Sequence, residues 1–143
     1  MKMNCCLRVL LILGVIFLFI ATSCDYLTES PEETYTLSGV ITKSGVDDSV
    51  MVYLKLVSKD GNFTDNALFS TRAIFNGGGT PYSIKKIKEG EYRLYALIDI
   101  NRNAVGDETS VPDAGDFVTS TYVNIDDNKT LDFRDNAWSV YQP

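Results

Sequence analysis

Between Gly90 and Asp99 the chain reads Gly-Glu-Tyr-Arg-Leu-Tyr-Ala-Leu-Ile-Asp, so that Tyr92, Leu94, Ala96 and Ile98 recur at every second position. A period of two places all four on one face of an extended strand and scatters them around a helix, so this stretch predicts a central β-strand. Val50, Val52, Leu54 and Leu56 keep the same rhythm against Met51, Tyr53, Lys55 and Val57, and the first set should face a core. Shorter segments follow the pattern at Leu37 to Thr42, Leu68 to Phe75, Tyr82 to Ile87, Phe117 to Ile125 and Thr130 to Phe133. The intervening stretches Asp47-Asp48-Ser49, Lys59-Asp60-Gly61-Asn62, Asn76-Gly77-Gly78-Gly79 and Asp126-Asp127-Asn128-Lys129 supply turn chemistry. With 45% hydrophobic residues there is material for one core. The expected fold is all-β, a single Greek-key β-sandwich of about seven strands over residues 35–143. Trp138 and Tyr141 lie in a tail that forms either an eighth strand or a flap over one end of that core.

Composition removes whole classes of function. The chain has no His, which excludes an imidazole base, a Ser/His/Asp triad and a His-ligated metal. Its formal charge of -6 is the opposite of the basic stripe that nucleic-acid binding requires, so no nucleic-acid partner is expected.

The first residues do not belong to the fold. Lys2 and Arg8 form a short basic region, and Val9 to Ala21 runs without a charge, a length within the roughly 7–15 residues of a signal-peptide core. A membrane span needs about 20 apolar residues, more than this segment offers. Its end, Ile20-Ala21-Thr22-Ser23-Cys24, resembles the lipobox of bacterial lipoproteins, in which the Cys is lipidated and becomes the new N-terminus; Ala21 stands where Leu is commonest. The resemblance implies a signal peptide over residues 1–23, a lipidated Cys24 with an acidic tether over 24–34, and the sandwich over 35–143. Cys5 and Cys6 leave with the signal and Cys24 is consumed by lipid, so the exported domain would hold together without a disulfide. An acidic residue such as Asp25 directly after the lipidated Cys is compatible with either the outer membrane or the periplasmic face of the inner membrane.

Within the domain, Leu37-Ser38-Gly39-Val40-Ile41 and Ile87-Lys88-Glu89-Gly90-Glu91-Tyr92-Arg93-Leu94-Tyr95-Ala96 resemble the skeleton of carboxypeptidase-regulatory-like, or transthyretin-like (prealbumin-like), β-sandwich domains. In that skeleton a Gly makes the hairpin turn and the Tyr two residues later plugs the start of the core. The resemblance implies a fold and carries little about function. The hydrolase activity known among transthyretin-like proteins relies on histidines and is not expected here.

The chemically informative segment follows the central strand. Asp99, Asn101 and Asn103 place oxygen side chains at alternate positions, and Asp113 and Asp116 follow after a longer stretch. Such spacing suits a hard cation such as Ca²⁺, which takes 6–8 oxygen ligands. The stretch resembles calcium loops of exported bacterial sandwiches, with Asp99, Asn101, Asn103, Asp113 and Asp116 as the implied ligands, although Ala104 replaces the usual turn Gly. A second register would recruit Asp107 and Glu108 instead, and a plain polar turn would use the same residue types.

Other features are weaker. Asp47-Asp48 and Asp126-Asp127 are read as solvated turns, and Lys85, Lys86 and Lys88 as a charged strand edge that discourages aggregation. Tyr53, Tyr95, Tyr122 and Trp138 are read as core or cross-strand packing in preference to an exposed platform for sugar rings. No motif supplies a nucleophile. The expected protein is a non-enzymatic, lipid-anchored component of a bacterial cell envelope, carrying a binding or accessory module with bound Ca²⁺. Its partner would be another envelope protein or a polysaccharide. The alternatives are a carbohydrate-binding subunit and a small metal-dependent hydrolase.

Overall fold

A computed structural model describes residues 32–104 and 111–143. The signal segment, Cys24 and most of the tether lie outside the described residues, as do Asp107 and Glu108. Among the described residues eight strands are formed: β1 (Tyr35–Ile41), β2 (Met51–Ser58), β3 (Phe69–Ile74), β4 (Thr80–Ile87), β5 (Gly90–Asp99), β6 (Phe117–Ile125), β7 (Lys129–Thr130) and β8 (Ser139–Val140). They make two sheets, β4-β1-β7 and β3-β2-β5-β6-β8, antiparallel except where β7 runs parallel to β1. The protein is therefore an all-β sandwich, and Glu33–Pro143 forms a compact unit of its own.

The period-two faces point where their spacing requires. Val52, Leu54 and Leu56 on β2 pair with Ile98, Ala96 and Leu94 on β5, and all lie at 0–1% exposure in the layer between the sheets. The three-stranded sheet contributes Leu37, Ile41, Ile84 and Ile87 to the same core. Tyr92 also sits in it, and its hydroxyl donates to the Lys88 carbonyl at 3.0 Å across the turn at Gly90. Gly90 has φ of 155°, within the region that favours glycine.

Along β2 and β5 the outward face of the large sheet is buried as well. Tyr53, Lys55 and Val57 on β2 and Tyr95 and Leu97 on β5 are all at 6% exposure or less. The β2–β3 connection folds back over part of this face, with Tyr95 donating its hydroxyl to the Gly61 carbonyl at 3.1 Å and the Phe63 ring 4.5 Å from that of Tyr95. The Lys55 ammonium donates to the Phe63 carbonyl at 2.6 Å and the Asp65 carbonyl at 3.2 Å. Burial pushes its pKa down, against the opposing pull of Asp65. β2 thus reads as alternating but is enclosed on both sides.

One expected strand is shorter than its pattern. Only Lys129–Thr130 joins β1 as a ladder, with one further bridge from Ile41 to Phe133. Side chains join the backbone here: Asn128 Oδ1 accepts the Thr36 N–H at 2.8 Å and Asp132 Oδ1 the Val40 N–H at 2.9 Å, while the Leu131 and Phe133 N–H groups donate to the Ser38 and Val40 carbonyls. The tail gives both a strand and a cover, since β8 pairs with the start of β6 while Trp138 packs 5.8 Å from the Phe133 ring.

Candidate functional site

Asp99 closes β5 and Asp116 immediately precedes β6, and the pairing of Ile98 with Phe117 brings the two strand ends side by side. Both carboxylates are buried, at 1% and 2% exposure. Each uses both oxygens to hold the chain that leaves its strand. Asp99 Oδ1 accepts the Asn103 N–H at 3.3 Å and its Oδ2 the Ala104 N–H at 3.1 Å. Asp116 Oδ1 accepts the Ile100 N–H at 3.0 Å and its Oδ2 the Asp113 N–H at 3.0 Å. The turn is made at Arg102, whose φ of 60° supplies the left-handed residue, so Ala104 has no need to be the turn glycine of the loop it resembles.

The remaining three residues complete the cluster. Asn101 Nδ2 donates to Asp113 Oδ1 at 2.5 Å, and Asn103 Nδ2 donates to Asp113 Oδ2. Asn101 Oδ1 in turn accepts the Asn103 N–H at 3.1 Å. All five residues singled out from spacing, Asp99, Asn101, Asn103, Asp113 and Asp116, therefore gather at one end of the sandwich. The two amides, Asn103 first, hold the Asp113 carboxyl below the ordinary carboxylate range, while burial pushes Asp116 above it.

The donor set is oxygen-rich. Among the described residues no three acidic, Cys or His side chains form a group that could hold a metal ion. A cation here would therefore draw on amide oxygens as well as carboxylates, and a half-turn of either Asn amide would present its oxygen in place of N–H beside Asp113. Hard oxygen donors without nitrogen or sulfur suit Ca²⁺ over softer metals.

The other candidates separate cleanly. Tyr53 and Tyr95 are buried, Trp138 packs against the core, and Tyr122 is exposed, so these four do not form a row open to solvent. Asp126 and Asp127 both pair with Lys129, at 2.5 and 2.6 Å, and Asp48 accepts the Gly77 N–H at 2.7 Å; these acids serve turns. Lys85 and Lys86 are exposed on β4, an edge strand. Sequence reading missed the Arg93 guanidinium, stacked 5.1 Å from the Tyr95 ring and 5.3 Å from that of Tyr122. Its signal lay in strand register: Arg93 and Tyr95 are two apart on β5, and Arg93 pairs with Tyr122 on β6.

No protein-family model matches the chain, and neither curated proteins nor solved structures give a match.

Proposed function

We propose that this chain is a lipid-anchored lipoprotein of a bacterial cell envelope whose transthyretin-like sandwich is a non-catalytic binding or accessory module, braced at one end by Ca²⁺. The observation that supports this reading best is the gathering of Asp99, Asn101, Asn103, Asp113 and Asp116 from the ends of β5 and β6 onto one loop system. Asp113 and the two Asn side chains would hold the ion, with Asp99 and Asp116 fixing the loop behind them. When bound, the ion supplies charge neutralisation and cross-linking of the loop. Lipid on Cys24 would hold the module at the membrane, where its partner is an envelope protein or a polysaccharide.

A cation that binds only the folded state stabilises it by RT ln(1 + [L]/Kd), about 2.7 kcal/mol at a hundredfold excess over Kd. Calcium should therefore raise the melting temperature by several degrees and chelator should reverse the rise. Asp113→Ala, which removes the carboxylate to which the Asn101 and Asn103 amides donate, should abolish the response. Calorimetry that finds no calcium binding at millimolar concentration would reduce the loop to a hydrogen-bonded polar turn.

A further inference from the structure

Two long strands that present an open backbone edge, β4 at the border of one sheet and β6 beyond the short β8 of the other, are treated differently. β4 carries Pro81 and the exposed Lys85 and Lys86, and its ladder with β1 is irregular between Tyr35 and Leu37. Lys86 takes the left-handed φ of 60° at that irregularity. Proline, lysine and a bulge are the usual means of stopping a sheet edge from recruiting another strand. β6 has none of them: Phe117–Ile125 contains no charged residue and no proline.

Its outer edge is covered only at the start. β8 pairs with Phe117 and Val118 alone, and the Tyr141 N–H donates to the Asp116 carbonyl at 2.8 Å. By the two-residue period of a strand, the backbone groups of Ser120, Tyr122 and Asn124 face the same way as those of Asp116 and Val118, beyond the reach of β8. Beside this edge lies a groove of about 340 Å³ lined by Thr119, Thr121, Leu131 and Ala137 among others, so side chains of an added strand have space on the inward side.

We propose that this edge is an interaction surface and that its occupant is β6 of a second copy, running antiparallel about a two-fold axis at Tyr122. That register sets Ser120 opposite Asn124 of the second copy, a pairing of small polar side chains without like charges. It makes about six backbone hydrogen bonds, two at each facing pair. A homotypic union consumes both free edges at once and closes, where a foreign strand would leave a new edge open. Of the acids that follow β6, Asp126 and Asp127 share Lys129, which halves the negative charge of that turn and so lowers its opposition to a second copy. β8 sets the limit: Val118 is already taken by Ser139, so the overlap stops near Ser120 and the dimer is weak and concentration-dependent.

The test is sedimentation equilibrium of the full chain in density-matched detergent, combined with amide hydrogen exchange. The wild type should dimerise with concentration, and the amides of Ser120, Tyr122 and Asn124 should gain protection in step. Tyr122→Pro deletes the N–H at the axis without touching the ladder to β5, and the dimer should be lost. Tyr122→Glu, which keeps an attractive partner for Arg93 but sets two carboxylates face to face across the axis, should abolish it too. A chain that stays monomeric at the highest soluble concentration would overturn the proposal, as would a dimer in which those three amides exchange freely. Dimerisation undiminished in both variants, with Thr121 and Val123 amides still protected to show a folded β6, would overturn it equally.

Discussion

Gly39 on β1 lies so close to the Leu131 carbonyl that a Cβ at position 39 would sit 1.9 Å from that oxygen. The same oxygen accepts the Tyr82 hydroxyl at 2.7 Å, and the Tyr82 ring would itself lie 2.9 Å from that Cβ, so an added methyl meets both groups. Gly39→Ala should therefore force β1 and the Leu131 segment apart. We expect a loss of about 3 kcal/mol or more in urea unfolding, at the upper end of what overpacking costs. A loss under about 1 kcal/mol would show that the segment after β7 yields freely.

Leu94 and Leu97 face opposite sides of β5 and are both essentially inaccessible, at 0% and 1% exposure. Leu94→Ala should cost about 2–5 kcal/mol as a truncation in the main core. Leu97→Ala should cost a similar amount, although a one-sided sheet would have left that side chain in water. Denaturant midpoints of the two variants side by side check this; a Leu97→Ala protein as stable as wild type would mean that the outward face is not a packed layer.

Asp135 holds the loop after β1, accepting the Ser44 backbone N–H and, at 2.8 Å, the Ser44 hydroxyl. These bonds place its folded-state pKa below the ordinary value of 3.8. A carboxyl depressed on folding contributes stability that is complete above its unfolded pKa and is lost as pH falls through the folded one. Wild type should therefore lose this contribution as the medium is acidified below 3.8. Asp135→Asn should be less stable at neutral pH and should show a shallower acid slope in the same range. Equal slopes for the two proteins would remove Asp135 from the acid transition.

If Cys24 carries lipid, wild-type protein should partition into the detergent phase and Cys24→Ala should not. Mass spectrometry of the isolated chain should then show a mature N-terminus at a modified Cys24. An unmodified thiol there would refute the anchor and leave the sandwich reading intact.

The local pattern of this sequence carried its strands because alternation is a property of neighbours: Tyr92, Leu94, Ala96 and Ile98 lie on one face whatever the rest of the chain does. The cation-loop candidates were legible for a related reason. Asp99, Asn101 and Asn103 sit two apart where a strand ends, and Asp113 and Asp116 sit where the next begins, so closing one hairpin brings all five together. Other features depended on groups far apart in sequence. Asn128 and Asp132 accept backbone N–H groups of β1 from 92 residues away, and no local pattern distinguishes a side chain that bonds a strand from one that faces water. The second buried face of β2 was hidden for the same reason: alternation sets Lys55 opposite the core-facing residues, and nothing local shows that the β2–β3 connection folds across it. Periodicity says which residues share a face, but only the path of the chain in three dimensions decides what covers that face, because burial belongs to the pair of surfaces that meet.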